Sequence, residues 1–173
     1  MEQQQNYRIS LATPNDVDRF YPLFERSMKT QFSEYTDKTI QYYLQKEYPP
    51  DEMKEKILNK RISLLLAYRE EAIVGYLIGQ RVYGGIAFGE WLGVDDAHQR
   101  QGIGSALLQA WEQHSIQLGA HKIHLWTAEK NVGYYQKRGY VLVGKVPDNY
   151  FGTDDYFMYK TLRKSHEDNF LKD

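Results

Sequence analysis

The 173-residue chain contains no cysteine, which excludes disulfides, thiolate metal sites and a cysteine nucleophile. It also lacks an excess of either charge. Twenty-two Lys and Arg face 23 Asp and Glu, for a formal net charge of −1 and a pI near 6.5, so nothing draws the molecule as a whole to nucleic acid or to an anionic membrane. No apolar run approaches the length needed to cross a bilayer. The polar start Met1-Glu2-Gln3-Gln4-Gln5-Asn6 has no basic patch leading into an apolar stretch. The expectation is a cytoplasmic protein with no nucleic-acid or membrane partner. At this length the chain makes one domain with a real core, expected over 1–163, followed by a charged tail over 164–173 expected to lack structure. Tyrosine, by contrast, is abundant: fifteen of them favour surfaces or pockets where a ring packs and its hydroxyl stays satisfied.

The most informative stretch is 90–119. An apolar run ends at Val94, a polar loop follows, and Gly102 and Gly104 introduce a long amphipathic segment. The first turn of a helix carries amide N–H groups without intrahelical partners and roughly half a positive charge. Glycines there let the backbone turn sharply and let a phosphate approach without meeting a Cβ atom. The pattern predicts a site for a phosphorylated ligand.

Elsewhere the periodicity predicts a strand over 7–11, then a helix to about Met28 with Val17, Phe20, Tyr21, Phe24 and Met28 on one face and Pro22 placed awkwardly within it. Two further helices are expected over 37–47 and 51–60, separated by Tyr48-Pro49-Pro50. Apolar runs at 62–68, 73–79 and 86–94, with short turns between them, predict an antiparallel meander. The helix after Gly102 is expected to bury Ile103, Leu107, Trp111, His114 and Leu118 and to close at Gly119. A strand over 121–126, joined to the third meander strand by that helix, must run parallel to it. A short helix over 131–138 and a hairpin of 140–146 with 156–162 complete the chain. The histidines of His121-Lys122-Ile123-His124 are spaced for opposite faces of a strand, and no metal site is expected.

Two common nucleotide motifs fail at the glycine loop. No lysine followed by a hydroxyl residue stands after Gly104, as a P-loop requires, and a Rossmann fingerprint would need a small residue where Leu107 stands. Gln99-Arg100-Gln101-Gly102-Ile103-Gly104, after a strand ending at Val94-Asp95, instead resembles the pyrophosphate loop of the GNAT superfamily of acyl-CoA N-acyltransferases. The element order agrees with that family. The resemblance implies an α/β (α+β) GNAT fold: a mixed, mostly antiparallel sheet of six or seven strands, helices on both faces, and one parallel βαβ crossover at the cofactor site. It covers about 7–162, with the specific motifs confined to 90–140.

The activity it implies is acetyl-CoA-dependent N-acetyl transfer to a primary amine of a small molecule or peptide, by direct attack in a ternary complex. Gln99, Arg100, Gln101, Gly102, Ile103, Gly104 and Ser105 would line the pyrophosphate, and the backbone of Leu92, Gly93 and Val94 would meet the pantetheine arm, Gly93 being consistent with a bulge there. The run Asn131-Val132-Gly133-Tyr134-Tyr135-Gln136-Lys137-Arg138-Gly139-Tyr140 is similar to the family's Asn…Tyr-x-x-x-Gly-Phe/Tyr signature, in which the asparagine contacts the cofactor and the tyrosine sits near the sulfur. Tyr135 stands at that place as the acid, and Tyr134 takes the role if the helix starts differently. For the base the sequence offers Glu90, the one carboxylate in an apolar run, expected on one strand face with Leu92 and Val94; ordered water is the alternative.

Acceptor choice is expected in the N-terminal helices with Phe32, Glu34, Tyr35, Tyr42 and Tyr43, in the Gly84-Gly85 turn, and in the loop 147–156. Aromatic and acidic lining suits a cationic amine. The loop and last strand also look loosely like those of protein N-terminal acetyltransferases, which keeps a peptide α-amine open. A non-catalytic acetyl-CoA-binding or interaction domain is a further alternative, and monomer and homodimer are both compatible with the sequence.

Overall fold

A strand with a continuous apolar run must be covered on both faces, and Leu64 to Ala67 form such a run. In the computed structural model, which describes residues 7–171, β2 (Ile62–Arg69) lies between β1 (Arg8–Leu11) and β3 (Ala72–Gln80), both antiparallel to it, and β3 pairs with β4 (Ile86–Val94). Leu64 and Leu66 point to one core, beneath α1 (Val17–Gln31), α2 (Asp37–Tyr42) and α3 (Pro50–Leu58); Leu65 and Ala67 point to a second, under α4 (Ile103–Gln117). β5 (Lys122–Thr127) runs parallel to β4, α5 (Glu129–Gln136) follows, and β7 (Asp155–Thr161) inserts between β5 and β6 (Val141–Val146). The seven strands take the order β1-β2-β3-β4-β5-β7-β6. The polar start over 1–6 and the last two residues of the tail lie outside the described residues.

Pro22 does not end α1. It falls in the second turn, after a 3-10 start at Pro14–Asp16 in which the Thr13 amide and hydroxyl both donate to Asp16 at 2.8 Å. α2 continues into a wider π turn, Tyr43–Glu47, closed by the Tyr48 amide on the Tyr43 carbonyl at 2.7 Å. Such turns often occur at functional sites, and this one delivers the Tyr48 ring into the core, where it is 5% exposed.

Three expectations need correction. Leu118 is about half exposed, and α4 buries Leu108 and Ser115 instead, with His114 held at its margin by the Ser63 hydroxyl at 3.0 Å. The tail is not structureless. Arg163 donates to the carbonyls of Ile116 and Ala120 at the end of α4, and α6 (Glu167–Phe170) sets Phe170 against His121 at a ring separation of 5.7 Å. The third correction concerns the bulge in β4. Gly93 pairs regularly with Tyr76, whose ring fills the space a Cβ would need, whereas the register breaks between Gly89, opposite Gly79, and Trp91, opposite Ile78. The extra residue is Glu90.

Candidate active site

One inserted residue inverts the alternation of a strand. Before the bulge, Ala87 and Gly89 face α4, where the Trp111 ring lies over Gly89; after it, Leu92 and Val94 face that side while Trp91 joins the α1 core. Glu90, expected beside Leu92 and Val94, therefore turns the other way. Its Oε2 accepts from the Tyr48 hydroxyl at 2.8 Å and its Oε1 from the Gln80 amide at 2.6 Å. Burial, with the Glu90 charge adding to it, pushes the Tyr48 phenol far up, so Tyr48 is a fixed donor to the carboxylate. At the same point β4 and β5 part: their pairing ends at Gly89 opposite Leu125, and from Glu90 onward this edge of β4 has no strand partner among the described residues.

A cavity of about 430 Å³ opens beside the split. Rings of Phe32, Tyr35, Tyr43, Trp91 and Trp126 wall it, with Tyr150 at the rim, and Glu34, Glu90 and Asp155 supply carboxylates. Lys130 pairs with Glu34 at 3.1 Å. Asp155, 6% exposed, accepts the Asn149 amide at 2.9 Å and the Thr153 hydroxyl at 3.4 Å, both on Oδ2; burial outweighs these bonds and raises its pKa above the ordinary carboxylate value. Tyr35 is pushed up to about 12 by burial and by the Asp155 charge. Tyr42 and the Gly84-Gly85 turn do not line the cavity. Tyr42 lies outside, stacked near Phe151 at 5.8 Å, and the Gly85 carbonyl receives the His121 amide on another part of the molecule.

On the other side of the split a groove of about 460 Å³ runs along the start of α4. The helix begins at Gly102 in a left-handed conformation (φ 85°) with no side-chain cap, which leaves the amides of its first turn free. The groove is lined by Leu92, Val94, Gln99, Arg100, Gly102, Ile103, Gly104, Ser105, Asn131, Tyr134 and Tyr135, together with His98 and Arg138. Gly93 and Gln101 are absent from it: Gln101 is turned to Arg69 at 3.1 Å and to the Ala97 carbonyl at 3.1 Å. Gln99 lines the groove but spends its amide on the Val94 carbonyl and on Asp96.

Arg138 escaped the sequence reading. Its guanidinium stacks 3.5 Å from the Tyr134 ring centre and donates to the Ser105 hydroxyl and the Tyr134 carbonyl, adding a fixed positive charge beside the helix terminus. The signal was an arginine four residues after Tyr134, facing back along α5. Gly104 has a second role here. A Cβ would lie 2.9 Å from the Tyr134 hydroxyl, which is buried without a hydrogen-bond partner among the described residues. Free amides, a fixed guanidinium and an unpaired hydroxyl together fit a diphosphate and its attached chain.

Cavity and groove share Leu92, Asn131 and Tyr135. Burial raises the Tyr135 phenol well above its ordinary value, so it stays protonated at neutral pH. Among the described residues no three His, Asp or Glu side chains cluster as a metal site, and no helix is long and apolar enough to cross a membrane.

The acetyltransferase (GNAT) family model matches residues 17–140, most of the chain. The chain belongs to the GNAT family. As a GNAT acetyltransferase it takes its acyl group from acetyl-CoA. Its fold is similar to that of PaiA N-acetyltransferase from Thermoplasma acidophilum in complex with coenzyme A (TM-score 0.75, 18% identity, 90% of this chain and 98% of that one). It also resembles yncA, a putative acetyltransferase from Salmonella typhimurium with acetyl-CoA (0.74, 16%, 93% and 96%), and an aminoglycoside 6'-N-acetyltransferase complexed with coenzyme A (0.69, 20%, 92% and 99%). No curated protein matches the GNAT chain.

Proposed function

We propose that this GNAT acetyltransferase transfers the acetyl group directly to a primary amine held in the aromatic cavity. The observation that carries the reading is the meeting of cavity and groove at Leu92, Asn131 and Tyr135. Amides of Ile103, Gly104 and Ser105, with Arg138, would hold the diphosphate, and the open edge of β4 would hold the pantetheine arm. Bound acetyl-CoA supplies an activated carbonyl and a thiol leaving group.

The residues divide the proton work. An acceptor amine arrives as an ammonium with a pKa near 10, and Glu90, oriented by Tyr48 and Gln80, takes its first proton directly or through water. As the new C–N bond forms and the C–S bond breaks, Tyr135 donates to the departing sulfur; its raised pKa makes it a hydrogen-bond donor first and a proton donor only once the sulfur carries charge. The nitrogen loses its second proton as the amide forms, and the sum is one amide, one thiol and one proton released to solvent. With no cysteine in the chain, direct attack has no thiol competitor on the enzyme.

The test is release of free thiol from acetyl-CoA with purified protein and a panel of polyamines, amino acids, aminoglycosides and short peptides with free N-termini. Release stimulated by one amine class is the expected result and identifies the acceptor. Binding of acetyl-CoA with no release on any amine would favour a non-catalytic acetyl-CoA-binding domain.

A further inference from the structure

Charge accounting in the aromatic cavity leaves an excess on one side. Its lining contains three carboxylates and no lysine or arginine. Glu34 is neutralised by Lys130 from outside the lining. Glu90 and Asp155 are held only by neutral donors, Tyr48 and Gln80 for the first and Asn149 and Thr153 for the second, with no cation within 4.0 Å among the described residues. A buried carboxylate walled by rings is costly to keep charged unless a cation answers it, and Asp155, 6% exposed, is that carboxylate, whereas Glu90 also opens onto a cleft lined by Lys56, Arg61 and Arg81. One ammonium, placed at the junction beside Glu90 for acetylation, leaves Asp155 unanswered.

We infer that the acceptor carries two cationic nitrogens, one presented beside Glu90 at the junction with the cofactor groove and the other received by Asp155 beside the rings of Tyr35 and Tyr43. The inference rests on the amine-acceptor reading above and adds to it the acceptor's charge and the residue that selects for it. Asp155 is built for the second nitrogen. Its Oδ2 is occupied by Asn149 and Thr153, which fix the side chain, while Oδ1 accepts no hydrogen bond from any described residue. Tyr35 and Tyr43 meet near edge-to-face at 5.6 Å and Tyr43 meets Trp91 at 5.1 Å, and this group of rings lines the cavity together with Asp155. The raised pKa of Asp155 has the same origin: buried negative charge without a cation, with Glu34 near it.

The experiment compares α,ω-diamines with n-alkylamines of matched length. Thiol release is measured at saturating acetyl-CoA, and binding to the coenzyme A complex is measured by calorimetry. A charge-assisted contact to Asp155 is expected to favour the best diamine by roughly tenfold to a hundredfold in kcat/KM and in Kd. Asp155→Asn should bring that ratio down toward one, mainly through KM. Equal values for diamine and monoamine in the unaltered protein would overturn the inference without any variant, as would a folded Asp155→Asn protein that keeps the preference. The two readings fail separately. Tight diamine binding without thiol release supports the cavity's charge assignment and removes catalysis, whereas release that is indifferent to the second nitrogen does the reverse.

Discussion

Tyr134 and Tyr135 are adjacent in sequence and have opposite situations. Their rings meet at 90°, with centroids 5.2 Å apart, because neighbouring positions on a helix point in different directions. Tyr134 is clamped between Gly104 and the Arg138 guanidinium, and it lines the groove beside α4 but not the cavity. Tyr135 lines both spaces and is the ring that can face a leaving sulfur at their junction. Tyr135→Phe keeps the ring and removes the donor. Turnover is expected to fall by about ten- to a hundredfold while the Kd for acetyl-CoA stays within about threefold. Steady-state rates paired with calorimetry check this, and unchanged turnover would reduce Tyr135 to packing.

At the scale of elements, β4 decides the site. Gly79 and Gly89 stand opposite one another, and Trp111 of α4 occupies the room left by their missing side chains. In Gly89→Ala the new Cβ would come 2.8 Å from the indole. Overpacking of this kind costs about 1–3 kcal/mol, and for a domain of this size a kilocalorie lowers Tm by about 2–4 °C. Thermal melts should therefore show a loss of several degrees, and no loss would mean that Trp111 moves aside freely. The helix that follows was legible in the sequence because its signal is local: two glycines, a polar loop and a run with helical spacing. The bulge was not. Gly93 offered the local cue, yet the extra residue is Glu90, set by which β3 residue faces which β4 residue, and a pairing across a turn leaves no mark in either strand's own pattern. Tyr48 was hidden for the same reason. It meets Glu90 across 42 positions of chain, and the π turn that aims it has no spacing rule comparable to the 3.6 of an α-helix.

Across the whole molecule, the sheet keeps two cores apart, one under α1 to α3 and one under α4, and the split between β4 and β5 is where both become accessible. A ligand lying along that split touches β4, α4 and α5 together and binds only the folded chain. At a hundred times its Kd, such a ligand adds about 2.7 kcal/mol of stability, which corresponds to roughly 5–10 °C here. Coenzyme A titrated into a thermal melt is expected to raise Tm by that amount. A melt insensitive to it would separate the groove from cofactor binding. The element order, the β2-β3-β4 meander, the parallel β4-β5 crossover and the β6-β7 hairpin followed from apolar runs and connection lengths, whereas the pairing of β1 with β2 and of β7 with β5 did not. Of the cavity walls, Phe32, Glu34, Tyr35, Tyr43 and the loop with Tyr150 and Asp155 were anticipated as a group, but Trp91 and Trp126 were not, since they join that group only in the folded protein.

That difference in origin bears on how such a protein changes over generations. The groove beside α4 is assembled from one segment, 92–138, while the cavity adds to that segment residues from before and after it, among them Phe32, Tyr43, Tyr150 and Asp155. Mutations that reshape the walls around Tyr43, Tyr150 or Asp155 leave segment 92–138 intact. A lineage can therefore reshape the cavity by small steps, each intermediate keeping the groove beside α4 unchanged.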